Sequence, residues 1–185
     1  ERALKWVRAQ NERSLAELEG HAVYEAMHRE ALAILTSDDR VPGVTLRSGF
    51  AYNFWRDETH VRGIYRRMPT DDYLAGKEEW DVVMDLDAIA AAEKANWVFG
   101  GLTCLAPDYR RCMVELSPGG SDAAVFREYD LEERAFVDAG FEVGEAKTSV
   151  AWLDADTLLI GTDFGEGTLT ESGYARQVRR WTRGQ

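Results

Sequence analysis

The sequence predicts a mainly β protein with an N-terminal α-helical hairpin and an incomplete β-propeller of about three four-stranded antiparallel blades, the last one unfinished. Three observations lead to this fold class. Apolar residues recur at helical spacing only near the N-terminus. Beyond Pro42, short strand-like runs alternate with turn residues. These runs form similar sets about 50 residues apart, which is a spacing typical of propeller blades.

The N-terminal region, residues 1–38, is predicted to be a helical arm. Apolar residues repeat at intervals of three and four in two stretches, and Gly20 separates them. The positions are Leu4, Val7, Leu15 and Leu18, with Asn11 on the same face, and then Val23, Met27, Ala31 and Ile34. Two short antiparallel helices with an apolar seam are therefore expected over residues 3–35.

The remainder, residues 39–185, is predicted to be the partial propeller, with blades at about 43–88, 97–140 and 147–185. Each blade is assigned from apolar runs bounded by turn residues. The predicted strands are Val44–Arg47, Phe50–Trp55, Val61–Met68, Trp80–Leu86, Trp97–Leu102, Arg111–Leu116, Ala124–Tyr129, Ala135–Val137, Ser149–Leu153, Thr157–Thr162 and Arg176–Arg183. The alanine-rich segment 87–96 is predicted to be helical, and the glycine-rich segment 163–173 is predicted to be a long loop.

Composition excludes several classes of protein. The 22 basic and 33 acidic residues give a formal charge of −11, so nucleic acid is not an expected partner. The longest apolar stretch without a charge, Trp97–Pro107, falls well short of the ~18 residues of a membrane span, so no membrane partner is expected. The chain starts with Glu1 and shows no export signal, so we expect it to begin inside a longer, cytoplasmic protein, with a periplasmic location left open.

The two cysteines, Cys104 and Cys112, are compatible either with a strand-to-strand pair or with two buried thiols. Two cysteines do not make the disulfide framework of a small secreted domain, so the reduced form is expected.

One segment, residues 119–123, comes within one residue of the G-x-S-x-G motif of serine hydrolases, with Ala123 in place of the last glycine. That motif requires a strand, a sharp turn and a helix, whereas Ser121 lies between two predicted strands. It also requires a downstream histidine, and the last histidine of the chain is His60. A hairpin turn is therefore the preferred interpretation.

No metal or cofactor is expected. His21 and His28 lack the accompanying residues of a helical metal motif, and the two cysteines lack zinc-site spacing. The acidic pairs are interpreted as solvated turn residues, the C-terminal arginines as a solvent-facing strand, and the tryptophans as core. The acidic pairs are Asp71 with Asp72, Asp85 with Asp87, Asp154 with Asp156, and Asp163 with Glu166. The arginines are Arg176, Arg179, Arg180 and Arg183. The tryptophans are Trp6, Trp55, Trp80, Trp97, Trp152 and Trp181.

Four ordered segments carry a resemblance to a known family. They are residues 6–11 (WVRAQN), 52–57 (YNFWRD), 116–122 (LSPGGSD), and 149–152 (SVAW) followed by 161–163 (GTD). Together they resemble the N-terminal part of the prolyl oligopeptidase family of serine peptidases. The resemblance implies helices that pack with a peptidase domain, then a seven-bladed propeller, then an α/β-hydrolase domain that carries Ser, Asp and His. No residue of this chain matches the catalytic three, so no catalytic residue is assigned.

The resemblance also implies a role and partners. The chain is expected to be the propeller lid that gates short peptides, without catalysis of its own, and to need the C-terminal peptidase domain. An aromatic residue that contacts substrate in the family corresponds to Lys147 here, so Lys147 is the substrate-binding candidate, suited to an acidic peptide or a carboxy terminus. Self-association is expected through the open strand near residues 176–183 or through the helical hairpin.

Two alternatives remain open. A free-standing β-rich binding or scaffolding module with a helical arm would equally lack catalytic residues. A reading frame that continues into further blades and a G-x-S-x-G motif followed by Asp and His would favour the peptidase, whereas a stop codon after Gln185 would favour the module. A small glycosidase that uses the acidic pairs requires two carboxylates about 5–10 Å apart and ranks last.

Overall fold

A computed structural model describes residues 1–37, 39 and 43–185. The chain divides into two compact units, Glu1–Val41 and Pro42–Gln185. The predicted boundary near residue 38 involves Asp38, which lies outside the described residues, as does Pro42.

The first unit contains two helices, α1 (Arg2–Glu19) and α2 (Tyr24–Thr36), on either side of Gly20 as predicted. The backbone N–H of Gly20 donates to the carbonyl of Ala16, and the N–H of His21 donates to the carbonyl of Leu18, which closes the first helix. No side chain of either helix is buried, and Trp6 is 64% exposed. The predicted apolar seam is thus an exposed face and not a buried contact.

The second unit is built from three antiparallel sheets in sequence order. The first sheet contains β1 (Thr45–Arg47), β2 (Phe50–Trp55), β3 (Ile64–Pro69) and β4 (Asp81–Asp85); the second contains β5 (Trp97–Cys104), β6 (Arg111–Pro118), β7 (Ala124–Asp130), β8 (Ala135–Phe136) and β9 (Glu142–Ala146); the third contains β10 (Ser149–Asp154), β11 (Thr157–Gly161) and β12 (Arg179–Thr182). Apart from β9, which pairs with β7, neighbouring strands follow one another along the chain, which is the meander of a propeller blade. The predicted fold class is confirmed.

Two short helices lie between strands of this unit. The helix α4 (Leu86–Glu93) confirms the predicted helical excursion; it starts where the side chain of Asp85 accepts a hydrogen bond from the Ala88 N–H, an N-cap. The helix α3 (Thr70–Leu74) was not predicted, because its polar residues resemble a turn.

The outer edge of the second sheet differs from the prediction. One strand was predicted at 135–137, whereas β8 and β9 both pair with β7: β8 pairs with its last two residues, and β9 pairs with its earlier part. The strand β9 could not be predicted from the sequence, because Val143 is its one buried side chain and the strand therefore shows no apolar alternation. The predicted last strand, 176–183, is also shorter in the structure, since β12 begins at Arg179.

Two hydrophobic cores lie on opposite sides of the second sheet. Alternate residues of β6 divide between them: Val114 packs towards the first sheet, and Met113 packs towards the third, and both are fully buried. The core shared with the first sheet contains Tyr52, Tyr65, Val83, Met84, Leu86, Cys112, Val114, Leu116, Tyr129 and Leu131. The core shared with the third contains Met113, Ala124, Phe126, Phe141, Val143, Leu158 and Ile160.

The cysteine prediction is wrong. Cys104 and Cys112 are register partners on β5 and β6, and their sulfur atoms are bonded to each other. Sequence spacing could not decide between the two alternatives, because the pairing depends on the length of the β5–β6 loop. The structure brings the Cα atoms to 3.9 Å.

Candidate functional site

The loops of the second unit lie at two opposite ends of the sheets, because successive connections in an antiparallel meander lie alternately at one end and at the other. The β2–β3 loop, the start of β5, the β6–β7 turn, the start of β10 and the β11–β12 loop lie at one end of the sheets. Side-chain contacts join these segments in pairs: Arg62 contacts Trp97, and Lys147 contacts Asp122. We call this the loop-rich end; it carries two cavities and the residue singled out from the sequence.

The first cavity surrounds Lys147 and is about 100 Å³ in volume. Lys147 Nζ lies 3.1 Å from Asp122 Oδ2 and 4.5 Å from the centre of the Tyr174 ring. Asp122 comes from the β6–β7 turn, and Tyr174 comes from the long loop before β12, where its backbone forms a bridge with Lys147. Lys147 is thus already paired with a carboxylate and an aromatic face.

Glu115 adds a second carboxylate to this cavity. It lies on the face of β6 that is turned towards the third sheet, and its side chain crosses over Gly100 of β5, where a Cβ atom would come within 2.6 Å of it. A larger residue at this position would require the Glu115 side chain to move. With Glu115, Asp122 and Lys147 in its lining, the cavity carries a formal charge of −1.

The second cavity is larger, about 300 Å³, and lies where the first sheet meets the second. Its lining comprises Arg56, Val61, Arg62, Asp87, Asn96, Trp97 and Val98. We call it the Arg62 cleft. Arg62 Nη1 donates to the carbonyl oxygen of Trp97 at 2.8 Å, which ties the β2–β3 loop to the start of β5.

Two carboxylates fix the loop that forms one wall of this cleft. Asp87, on α4, accepts hydrogen bonds from the backbone N–H groups of Arg62 and Gly63 at 3.1–3.2 Å. Asp57 accepts from the N–H groups of Thr59 and His60, from the His60 ring and from the Trp55 indole. Burial alone would raise the pKa of Asp57, but these hydrogen bonds outweigh it and lower the pKa to about 2.

The segment that resembles a nucleophile elbow is a hairpin turn, as predicted. It joins β6 to β7, and the hydroxyl of Ser121 donates to the carbonyl of Ala123 at 2.9 Å. The Ser117 hydroxyl donates in turn to the carbonyl of Ser121. These bonds stabilise the turn that presents Asp122.

Several of the acidic residues named in the sequence analysis stabilise local structure. Asp85 caps α4, Asp72 pairs with Lys77, and Asp163 accepts from the Gly165 N–H. Among residues 1–37, 39 and 43–185, no group of three His, Cys, Asp or Glu side chains could hold a metal ion. In the same residues no helix is long and apolar enough to cross a bilayer.

The tryptophans and C-terminal arginines also pack against protein groups. Trp55 and Trp80 enclose the guanidinium of Arg66, while Trp152 and Trp181 contact Phe141 in the second core. Arg183 was expected to face solvent, but its guanidinium lies on buried Glu128. The arginine prediction is therefore wrong at Arg183, and the tryptophan prediction is wrong at Trp6.

Lys147 is a candidate named from the sequence and stays a prediction, whereas the Arg62 cleft was not identified from the sequence. Arg62 and Asp87 are 25 positions apart, and their contact depends on the pairing of β3 with β4. The signal that could have revealed them is the glycine at position 63, whose φ of +103° marks a special backbone position beside an arginine.

Two helices followed along the chain by three successive antiparallel sheets are the architecture of an N-terminal β-propeller region. A family model described as "Prolyl oligopeptidase, N-terminal beta-propeller domain" matches residues 1–184. The chain therefore belongs to the prolyl oligopeptidase family of serine peptidases, as its N-terminal propeller region.

Individual relatives agree with this assignment. The chain is 38% identical over 186 aligned residues to an uncharacterized peptidase, y4nA, of Sinorhizobium fredii (strain NBRC 101917 / NGR234), and the match spans all of this chain and 26% of that protein. A second, the uncharacterized peptidase RP174 of Rickettsia prowazekii, is 28% identical over 99% of the chain and 26% of its own length.

Among solved structures, a post-proline cleaving enzyme from Rickettsia typhi superposes with a TM-score of 0.89 at 28% identity, covering 99% of this chain and 28% of that one. Oligopeptidase B from Leishmania major, at 15% identity and a TM-score of 0.61 over 88% of this chain and 23% of its own, shares the fold. The chain spans about a quarter of the length of the relatives it matches.

Proposed function

We propose that this chain is the propeller lid of a prolyl oligopeptidase-like serine peptidase, which admits short peptides to a catalytic domain and supplies no catalytic residue itself. The observation that carries the proposal is the match to the N-terminal propeller family over residues 1–184. The large relatives, of which this chain spans about a quarter, support a partner domain C-terminal to it.

The physical basis of gating is size selection. A propeller over an active site excludes folded proteins, while short flexible peptides can pass, and an acyl-enzyme forms on a serine of the other domain. The contacts between sheets give such a lid its stiffness. Trp152 Nε1 donates across to the carbonyl of Thr103 at 2.8 Å, and the Tyr129 hydroxyl donates across to the carbonyl of Val83 at 2.9 Å.

Lys147 is our candidate for contact with the peptide, since it lies at the loop-rich end, just before the first strand of the third sheet. Its ammonium group could serve an acidic side chain or a carboxy terminus only by exchanging Asp122, which is 78% exposed and free to turn away. Substitution Asp122→Asn should therefore strengthen the preference for acidic peptides, and Lys147→Met should remove it.

The test uses the full-length protein and this chain side by side. The full-length protein should hydrolyse chromogenic prolyl peptides, with kcat/KM falling steeply once the substrate is a folded protein, and a serine reagent should stop turnover. This chain alone should give no turnover above background. Serine-reagent-sensitive turnover by this chain, or equal cleavage of folded and short substrates by the full-length protein, would overturn the proposal.

A further inference from the structure

Arg62 carries a charge that no neighbouring acidic side chain balances within the described part of the chain. It is half-buried, and no carboxylate of the described residues lies within 4.0 Å of its guanidinium nitrogens. By contrast, Arg67 pairs with Glu132, and Arg127 pairs with Glu93. A half-buried guanidinium without an acidic partner keeps its charge available to a ligand.

The geometry holds this charge in place before any ligand arrives. Nη1 is fixed by the carbonyl of Trp97 at 2.8 Å, and the backbone on both sides of the Arg62–Gly63 peptide is fixed by Asp87. Gly63 cannot be replaced easily, because its φ is +103° and a Cβ atom there would come within 2.5 Å of the Phe54 ring. A pre-positioned guanidinium loses little conformational freedom when it binds a planar anion.

The chemistry of the cleft favours a carboxylate with an apolar neighbour. The one carboxylate among the described lining residues belongs to Asp87, and it already accepts hydrogen bonds from the backbone N–H groups of Arg62 and Gly63. Trp97 and Val98 add apolar surface beside the charge. The remaining edge of a guanidinium offers paired donors that match the two oxygens of a carboxylate.

We infer that Arg62 binds a carboxylate of the peptide substrate in this cleft, foremost the C-terminal one. The inference rests on the proposed function, because it takes a short peptide as the ligand. This role differs from that of Lys147. Lys147 must first break its ion pair with Asp122, whereas Arg62 has no such ion pair to break within the described ranges.

The experiment measures peptide binding to this chain by two-dimensional amide and indole NMR, with the Trp97 indole signal assigned from Trp97→Phe. Three probes separate the possible sources of the carboxylate: acetyl-Ala-Ala-Phe with a free carboxyl group, its C-terminal amide, and acetyl-Ala-Glu-Phe amide. The variant is Arg62→Gln. The matched control is Arg180→Gln, at an exposed arginine of the third sheet.

We expect the free acid to shift the Trp97 indole signal and to bind about tenfold more tightly than the amide, because a charged hydrogen-bonded pair contributes on this scale. Arg62→Gln should abolish that difference, and Arg180→Gln should keep it. Binding of the glutamate peptide that depends on Arg62 would support the site and make a side-chain carboxylate a ligand as well.

Equal binding of acid and amide by the unsubstituted chain would overturn the inference, as would an unchanged preference in Arg62→Gln. If circular dichroism shows that Arg62→Gln does not fold, Arg62→Lys replaces it: the charge remains but the paired donors are lost, so the preference should fall. None of these results touches the lid proposal, which is tested by hydrolysis in the full-length protein.

Discussion

Arg183, just after the last strand of the third sheet, donates hydrogen bonds to both carboxylate oxygens of Glu128 in the second sheet, at 2.8 and 3.0 Å. The Glu128 side chain is fully buried and also accepts from Arg111 and from the Phe141 N–H. A buried carboxylate with four donors from two sheets joins the sheets only while every donor stays in place.

We predict that Arg183→Met lowers the free energy of unfolding by about 2–4 kcal/mol, because it leaves a buried charge with half of its donors. Urea denaturation followed by tryptophan fluorescence measures the change. The control is Lys77→Met, which breaks the exposed ion pair with Asp72 and should cost about 0–1 kcal/mol. Equal losses in the two variants would contradict the role assigned to Arg183.

Stability should fall in acid through the buried carboxylates. Burial raises the pKa of Glu128, but the hydrogen bonds from Arg183, Phe141 and Arg111 outweigh it and hold the pKa below its ordinary value of 4.5. A carboxyl group with a depressed pKa stabilises the folded state above its unfolded pKa and loses that contribution as pH falls through the folded value.

This prediction is checked by measuring the urea concentration at the unfolding midpoint between pH 7 and pH 3. In the parent chain that concentration should decrease once the pH is below about 4.5. Glu128→Gln, already weaker at pH 7, should show a smaller drop over the same range. A profile for Glu128→Gln that runs parallel to that of the parent would assign the acid sensitivity to other carboxylates.

The Cys104–Cys112 disulfide closes a short loop, so its reduction should cost about 2–3 kcal/mol by the loop-entropy estimate. Mass spectrometry of the intact, alkylated chain determines its state, and denaturation with and without a reductant measures its contribution. A double Cys→Ser variant should lose the same stability and show no further response to the reductant. A reductant effect that persists in this variant would exclude the disulfide as its source.

The redox state also bears on the expected cytoplasmic location, which stays a prediction. Cytosolic thiols are kept reduced, so a disulfide that persists in alkylated cell extracts would favour an oxidising compartment.

The chain should self-associate through the free edge of β12, because a strand that pairs on one side only leaves backbone groups unpaired on the other. Sedimentation velocity over a range of concentrations measures the association. Arg180→Pro should weaken it, since proline disrupts edge pairing, whereas Trp6→Glu should weaken it if the exposed helices provide the contact instead. A monomer at every concentration would contradict both routes.

Much of the fold was accessible from the sequence, because local patterns encode it. The alternation of Phe50–Trp55 and the helical period of residues 3–35 depend on neighbours along the chain, and both predictions match observed elements. The strand β9 was not accessible, since its place is set by pairing with Phe126 and Arg127 and not by its own polar sequence.

The site was less accessible than the fold. Lys147 could be named, but its partner Asp122 lies 25 positions away, on a turn that only the folded sheets bring near. The burial of Arg183 likewise depends on Glu128, 55 positions away. Long-range electrostatic partners leave no periodic trace in a sequence, so charge patterns alone could not distinguish them from solvated residues.

The strand β6 contributes Val114 to one core and Met113 to the other. A one-residue slip of this strand would send every side chain to the wrong neighbour and damage both cores at once. The outer sheets therefore cannot melt independently while the middle one survives intact, and the second unit should unfold as one cooperative body instead of sheet by sheet.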